Sequence, residues 1–270
     1  MILYPLFRTK VPNIETRGVV NMSEQKMVIT TKPLGDSALI VQLGEGINPL
    51  IHEKVKSFST LLDERPFEGF IESVPAYNNL TIYYNSYTVH LSQVKSATKN
   101  HRALTPFEKV STYMNELIQH IGDKQFFEER TITIPVLYGG EFGPDLEYVA
   151  KYHGLSVEEV IRIHSENEYL VYMIGFAPGF PFMGGMNEQI ATPRRETPRL
   201  AIVPGSVGIA GKQTGVYPLE TPGGWQIIGR TPQALFLPLT SPPTFLQSGD
   251  KIRFSSISPE EYINYEEMKK

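Results

Sequence analysis

Proline and glycine crowd into residues 175–250 of this 270-residue chain, and they limit what its second half can fold into. Proline fixes φ and glycine reaches conformations that other residues avoid, so both interrupt helices and specify turns. Short apolar pieces of strand length stand between these turns. Many short strands with regular turn signals predict a β-barrel or a β-sandwich. The predicted strands are Leu200–Val203, Gly208–Ala210, Gly215–Tyr217, Trp225–Ile228, Leu235–Leu237 and Lys251–Phe254.

Two strands and two short helices are predicted to lead into this β-rich region. The second helix begins with a capping box, in which Ser156 and Glu159 each satisfy the other's backbone N–H group. The strands are Thr131–Tyr138 and Tyr169–Phe176, and the helices are Asp145–His153 and Ser156–Glu166.

The first half of the chain has a different pattern, which predicts helices packed on an antiparallel sheet. One helix begins at Asn48-Pro49, where asparagine caps and proline takes the first helical position. A second helix begins with the capping box of Thr105 and Glu108. The predicted strands are Val28–Thr31, Ala38–Leu43, Phe70–Ala76 and Leu80–Asn85.

These patterns divide the chain into two domains. The predicted fold class is an α+β N-terminal domain followed by a mostly-β barrel domain. The predicted segments are a flexible or non-native leader (1–26), the small α+β domain (27–121), a linker (122–130), the barrel domain (131–258) and a C-terminal tail (259–270).

Composition excludes several classes of function. The formal charge is −4, without the basic excess that marks a nucleic-acid-binding protein. The chain has no cysteine, which removes disulfides and thiol nucleophiles and fits a reducing compartment such as the cytoplasm. No segment reaches the roughly 20 apolar residues of a membrane span. We therefore expect a cytoplasmic protein that binds neither nucleic acid nor membrane.

The common catalytic motifs are missing. The six histidines never take metal-ligand spacing, so we expect no metal site and interpret them as surface or hydrogen-bonded histidines. Gly211-Lys212 resembles the end of a P-loop, but Gln213 replaces the required Ser or Thr and Ser206 replaces the first glycine. The chain therefore does not bind ATP through a Walker-type loop.

The segment from Tyr172 to Arg230 is the candidate site. It combines proline-fixed loops, aromatic side chains and arginines, which could form a groove for a carboxylate or phosphate. The alternative is that the aromatics fill the core and the arginines form surface ion pairs. We favour the core for the aromatics and leave both interpretations open for the arginines. The candidates are Phe176, Phe180, Phe182, Arg194, Arg195, Arg199, Ser206, Gln213, Thr214, Tyr217, Glu220 and Arg230.

Long runs in this half resemble the KipI / allophanate hydrolase subunit 1 family, whose members are mostly identified as the B subunit of 5-oxoprolinase. The resemblance covers residues 27–258. The most specific run is Gly205-Ser206-Val207-Gly208-Ile209-Ala210-Gly211, followed by Gln213-Thr214-Gly215 and Tyr217-Pro218. Further runs are Tyr138–Leu146, Gly175–Gly184, Thr192–Arg199 and Thr221–Thr231.

The resemblance implies that the second domain is a cyclophilin-like β-barrel. It also implies a complex with 5-oxoprolinase subunits C and A that opens 5-oxoproline to glutamate and hydrolyses ATP, with Mg²⁺ expected. Arg194, Arg195, Arg199 and Arg230 would then stabilise a transferring phosphoryl group. Ser206, Gln213, Thr214, Tyr217 and Glu220 would be polar groove residues. No catalytic residue is assigned, no tightly bound cofactor is expected, and the chain is expected to be inactive alone.

Two other functions stay open. One is a KipI-like inhibitor that binds a sporulation-type histidine kinase through an exposed apolar stripe in Phe176–Phe182. The other is a part of an allophanate- or urea-metabolising enzyme.

Overall fold

The computed structural model describes residues 16–22, 25–92, 103–121 and 130–268, with side chains from Ile29 onward. These residues form two compact units. The first contains the described residues up to Glu45, then Ser57–Val74 and those from Asn78 to Asp123. The second contains Gly46–Lys56, Pro75–Tyr77 and the described residues from Lys124 onward. Among all the helices described, none is long and apolar enough to cross a membrane.

The first unit contains a five-stranded sheet with the order β1-β2-β3-β5-β4. Pairing is antiparallel from β1 to β2, β2 to β3 and β3 to β5. The alternating pattern of β5 buries Leu80 and Ile82, as expected of a strand with one face in a core. The strands are β1 (Thr16–Met22), β2 (Gln25–Pro33), β3 (Ala38–Gln42), β4 (Phe70–Pro75) and β5 (Asn79–Tyr84).

The predicted helix starts of the first half are confirmed. Asn48 Oδ1 accepts a hydrogen bond from the backbone N–H of Leu50 at 2.9 Å, one residue before and one after the proline that opens the helix. Thr105 and Glu108 form the predicted capping box. The helices are α1 (Pro49–Glu64), α2 (Ser86–Leu91) and α3 (Pro106–Leu117), the last followed by the 3-10 turn Ile118–His120.

The ends and the linker differ in part from prediction or lie outside the described residues. Within the predicted leader, Thr16–Met22 forms a strand because it pairs along its whole length with β2. Its own pattern is too short and polar to predict this, and residues 1–15 are not described. Of the predicted linker, only Arg130 is described. Part of the predicted tail is a helix, which begins with a capping box at Ser258 and Glu261.

The second unit contains a closed barrel of seven strands in the order β10-β11-β8-β7-β14-β6-β13. The β14–β6 pair is parallel and the other pairs are antiparallel. Two further strands, β9 and β12, form a separate two-stranded sheet. The strands are β6 (Thr131–Tyr138), β7 (Glu168–Ile174), β8 (Pro181–Gly184), β9 (Arg199–Ile202), β10 (Ser206–Ala210), β11 (Gln213–Val216), β12 (Thr221–Gly223), β13 (Gln226–Arg230) and β14 (Lys251–Ser256).

Closure of this barrel explains how short strands of mixed composition reach a stable core. Each strand pairs on both edges, so no edge is left to recruit another chain. Burial of the apolar side chains inside is the main favourable contribution. Four residues from four of the strands belong to one buried cluster: Val136, Val171, Ile209 and Ile252.

The second unit also contains three helices, α4 (Leu146–His153), α5 (Val157–Ser165) and α6 (Pro259–Glu267). Helix α5 begins with the predicted capping box at Ser156.

The predicted fold class is confirmed, and three local differences have physical reasons. Leu235–Leu237 is not a barrel strand and forms only an isolated bridge from Phe236 to Thr244. The nearby prolines lack the N–H that a ladder needs. Strands β8 and β12 were not predicted because each contains a proline, Pro181 and Pro222.

Candidate functional site

A buried carboxylate, Asp145, binds two of the predicted arginines. Arg199 donates from Nη1 to Oδ2 and from Nη2 to Oδ1, both at 2.8 Å. Arg195 donates from Nη1 to Oδ1, also at 2.8 Å. The Asp145 side chain is 5% exposed, whereas those of Arg195 and Arg199 are 36% and 26% exposed. Since one carboxylate faces two guanidinium groups, this cluster keeps a formal positive charge.

Backbone geometry fixes the position of Asp145. Its N–H donates to the Ile227 carbonyl at 2.8 Å, and its Oδ2 accepts from the Ile227 N–H at 2.7 Å. The preceding turn approaches β13 so closely that a Cβ at Gly143 would overlap the carbonyl of Ile228. Only glycine permits such an approach. Asp145 occupies the N-cap position of α4, but its side chain forms no capping hydrogen bond with the helix. Its carboxylate binds the two arginines and the backbone of β13 instead.

Asp145 is the residue of this site that the sequence did not predict. The available signal was the run Gly139-Gly140-Glu141-Phe142-Gly143-Pro144-Asp145, a tight turn that ends in a carboxylate. The arginines that bind Asp145 lie 50 and 54 positions further along the chain, outside this run.

Arg194 has a different environment from its neighbours. It is exposed, and its Cζ lies 5.9 Å from the centroid of the Trp225 ring, within the range of a cation–π contact. Burial raises the pKa of Tyr217 to about 12, while a hydrogen bond with the Trp225 backbone and the charges of Arg194 and Arg199 oppose the increase. Two of the three arginines therefore lie close to the edge of one aromatic cluster.

That aromatic cluster is mainly core. Phe180, Tyr217 and Trp225 are buried, and their rings meet edge to face at centroid distances of 5.1–6.4 Å. Phe182 is partly buried against them. Phe176 differs, since it is 67% exposed and has a φ of 69°, in the left-handed region that ordinary residues avoid. Phe180, Tyr217 and Trp225 therefore belong to the core, Phe182 is partly buried, and Phe176 is presented at the surface.

The remaining candidate residues are spread over several environments. Ser206 is buried, Glu220 is exposed, and Gln213 donates to the phenol oxygen of Tyr77 in the same unit. Thr214 is fully buried and donates to the Gly208 carbonyl at 3.0 Å. Arg230 lies over the Phe142 ring, 5.0 Å from its centroid. The structure thus brings Arg194, Arg195, Arg199 and Tyr217 together, and gives Ser206 and Thr214 places inside the barrel.

The barrel interior also holds a histidine with both ring nitrogens in hydrogen-bond contact. His164 Nδ1 lies 2.8 Å from the Tyr138 hydroxyl and Nε2 lies 3.0 Å from Thr214 Oγ1. Burial lowers the pKa of His164 to about 3 and raises that of Tyr138 well above its usual value. This histidine is therefore neutral at physiological pH, and its role is to stabilise the core through its two hydrogen bonds. Across the described ranges, no group of three His, Asp or Glu side chains could hold a metal ion.

Chemically, the arginine cluster is suited to an anion. Guanidinium groups bind carboxylates and phosphates through forked hydrogen bonds. Asp145 orders Arg195 and Arg199, and the exposed Arg194 is oriented by Trp225.

Comparison with known proteins identifies the family of this chain. The family model described as "Carboxyltransferase domain, subdomain C and D" matches residues 29–246. A protein of Bacillus subtilis (strain 168), named as the B subunit of 5-oxoprolinase, is 51% identical over 236 residues, which are 87% of this chain and 95% of that protein.

Two solved structures share the fold. The crystal structure of TTHA0988 has a TM-score of 0.68 and 31% identity over 82% of this chain, which spans 40% of that chain. The K. lactis urea amidolyase has a TM-score of 0.70 over 92% of this chain and 16% of that one, at 16% identity. The chain belongs to the family of carboxyltransferase subdomains C and D, and within it to the group of proteins named as the B subunit of 5-oxoprolinase.

Proposed function

We propose that this chain is the B subunit of an ATP-dependent 5-oxoprolinase that opens 5-oxoproline to glutamate. The observation that carries the proposal is 51% identity to the Bacillus subtilis protein of that name, over 95% of its length. Identity at this level over a whole chain argues for a common function as well as a common fold.

The proposed reaction needs several components. ATP, with Mg²⁺, would transfer its terminal phosphoryl group to the lactam oxygen of 5-oxoproline, and ADP would leave. Water would then attack the activated carbon, and the ring C–N bond would break as the nitrogen takes a proton. A second water would release phosphate from the acyl phosphate and give glutamate. Such a transfer needs positive charge around the phosphoryl oxygens. The exposed Arg194 would contact the anion directly, whereas Arg195 and Arg199 would add positive charge from fixed positions beside Asp145.

Partner proteins would supply the rest of the site. The sequence lacks a Walker-type loop, and the buried histidine is placed to support the core and not a reacting group. We therefore propose that the chain works with the C and A subunits in the cytoplasm, and that it is inactive alone.

Co-purification tests the assembly. The chain is expressed with the C and A subunits of its own organism, and one tagged protein is used to isolate the others. The proposal expects a stable complex that contains all three and releases glutamate from 5-oxoproline only when ATP is present. A chain that never associates with either partner, while those two remain soluble, would contradict the proposal.

A second experiment tests the arginine cluster in that complex. Arg194→Gln is expected to lower kcat by tenfold or more without changing stability, because its side chain is exposed. The matched control is Arg162→Gln, an exposed arginine paired with Glu166 on α5. Equal activity in both variants would remove Arg194 from the site and leave the family assignment unchanged.

A further inference from the structure

A cavity of about 350 Å³ lies in the second unit, and its lining includes none of the three clustered arginines. Its size falls within the range of small-molecule sites. Rigid backbone forms much of the wall, and one guanidinium, one phenol, one carboxylate and one amide line it. The lining residues used below are Gly205, Arg230, Gln233, Tyr262 and Glu266.

The cavity's basic group is held in a defined position. The Arg230 guanidinium lies over the Phe142 ring and forms a hydrogen bond with the side chain of Tyr262. The Tyr262 ring itself lies 4.9 Å from that of Phe142. Arg230, Phe142 and Tyr262 therefore form one packed unit, in which α6 provides a wall of the cavity.

The hydrogen-bond roles follow from the chemistry of these groups. Guanidinium nitrogens only donate, so the Tyr262 oxygen accepts from Arg230 and keeps its own proton for an acceptor. Burial raises the pKa of Tyr262 and the charge of Glu266 raises it further, while Arg230 opposes both effects. The phenol is thus a neutral donor at physiological pH, beside a permanent positive charge.

The part of the lining at Gly205 is fixed by backbone hydrogen bonds. The Gly205 N–H donates to the Tyr217 carbonyl at 2.6 Å, and the Thr231 N–H donates to the Gly205 carbonyl at 2.9 Å. Gly205 has a φ of 83°, and a Cβ there would overlap the carbonyl of Thr231. Only glycine permits this approach of Gly205 to the Thr231 carbonyl.

We propose that this cavity binds a small carboxylate that also carries an N–H donor, of the size of one amino acid. Arg230 and Tyr262 would donate to the carboxylate, and the side-chain oxygen of Gln233, whose amide N–H donates to the Ala234 carbonyl, would accept from the N–H. Resting on the proposed function, the inference names 5-oxoproline as the ligand, since its ring carries both a carboxylate and a lactam N–H. The cavity would hold it before the phosphoryl transfer that is proposed at Arg194.

Calorimetric titration of the purified full chain tests the inference. The probes are 5-oxoproline, L-glutamate and ADP. We expect saturable binding of 5-oxoproline that weakens tenfold or more in Arg230→Gln. Tyr262→Phe keeps the ring on Phe142 and is expected to weaken binding severalfold, so it remains informative if Arg230→Gln fails to fold. Arg162→Gln is expected to bind like the unmodified chain.

Several outcomes would overturn the inference. The first is the absence of saturable heat at ligand concentrations well above about 1 mM, the dissociation constant of a weak complex. The second is binding of 5-oxoproline that Arg230→Gln and Tyr262→Phe both leave unchanged. The third is binding of ADP without binding of 5-oxoproline. Glutamate release by the assembled complex separates the two proposals. Turnover without binding to this chain removes the cavity assignment alone, whereas binding without turnover removes the proposed function.

Discussion

Arg199 binds Asp145 through two parallel hydrogen bonds of 2.8 Å, a forked pairing of guanidinium and carboxylate. The same carboxylate also accepts from Arg195 and from the backbone of Ile227. One buried side chain therefore connects the loop of residues 192–199, the start of α4 and strand β13.

The first prediction concerns this carboxylate. Asp145→Asn keeps the side-chain shape but leaves two guanidinium groups without their counter-charge. Removing one partner of a buried ion pair costs about 3–5 kcal/mol, and partial solvent exposure of the arginines places the expected loss near the lower limit. Urea denaturation measures it. Glu166→Gln, which breaks an exposed pair with Arg162, is the control and is expected to cost less than about 1 kcal/mol. Equal losses in the two variants would show that Asp145 does not organise the cluster.

The second prediction concerns the turn before Asp145. Gly143→Ala would place a methyl group on the carbonyl of Ile228, so either the turn or β13 must move. Forced overpacking of this kind costs about 1–3 kcal/mol. In Gly175→Ala the new methyl would meet only the flexible side chain of Met173, at 3.4 Å, so a much smaller loss is expected. The midpoint of thermal unfolding is measured for both variants. If Gly143→Ala is as stable as Gly175→Ala, the close approach of Gly143 to the Ile228 carbonyl is contradicted.

The third prediction is a pH dependence. Burial lowers the pKa of His164 to about 3 in the folded chain, whereas the unfolded chain binds the proton near pH 6.5. The unfolded state therefore binds more protons between these values, and stability falls as pH decreases through that window. One such histidine contributes a slope of about 1.4 kcal/mol per pH unit.

The slope is measured by urea denaturation between pH 6 and 5. His164→Gln is expected to reduce it by the contribution of one histidine. Tyr138→Phe removes the hydrogen bond to His164 without removing its titration, and is expected to lower stability while keeping the slope. An unchanged slope in His164→Gln would show that this histidine is charged in the folded state.

The fourth prediction concerns a buried lysine in the first unit. The Lys109 ammonium donates to the carbonyls of Val89, His90 and Ser92 at 2.7–3.1 Å, at the end of α2. Lys109→Met keeps the apolar stem but leaves these acceptors without their donor. A loss of about 2–3 kcal/mol is expected, since hydrogen bonds to charged groups contribute about 1.5–3 kcal/mol. Lys151→Met, on the exposed face of α4, is expected to change stability by less than about 0.5 kcal/mol. If the two variants unfold at the same urea concentration, Lys109 does not support α2.

Local chemistry explains which parts of the fold the sequence could predict. The capping boxes at Thr105 and Ser156 involve residues three positions apart, and each is found as predicted. The barrel follows from closely spaced turn signals. Strand β1 was not predicted, because its order depends on pairing with β2 and not on its own composition.

The site was harder to predict because it depends on residues distant in the chain. The sequence identified Arg194, Arg195 and Arg199 as one basic group, but not the carboxylate, 50 and 54 positions earlier, that binds the last two. Arg230 is a second case in which the sequence did not indicate the neighbours of a residue in the fold. The sequence grouped it with the other three arginines as a candidate, but in the structure it lines a cavity that includes none of them.

ATP-dependent glutamate release by the assembled complex tests the central claim most directly. The same preparation of the A and C subunits is measured with this chain and without it, and this chain is also measured alone. The account predicts release of glutamate from 5-oxoproline only when all three proteins and ATP are present. Turnover by the A and C subunits that does not change when this chain is added would contradict the account.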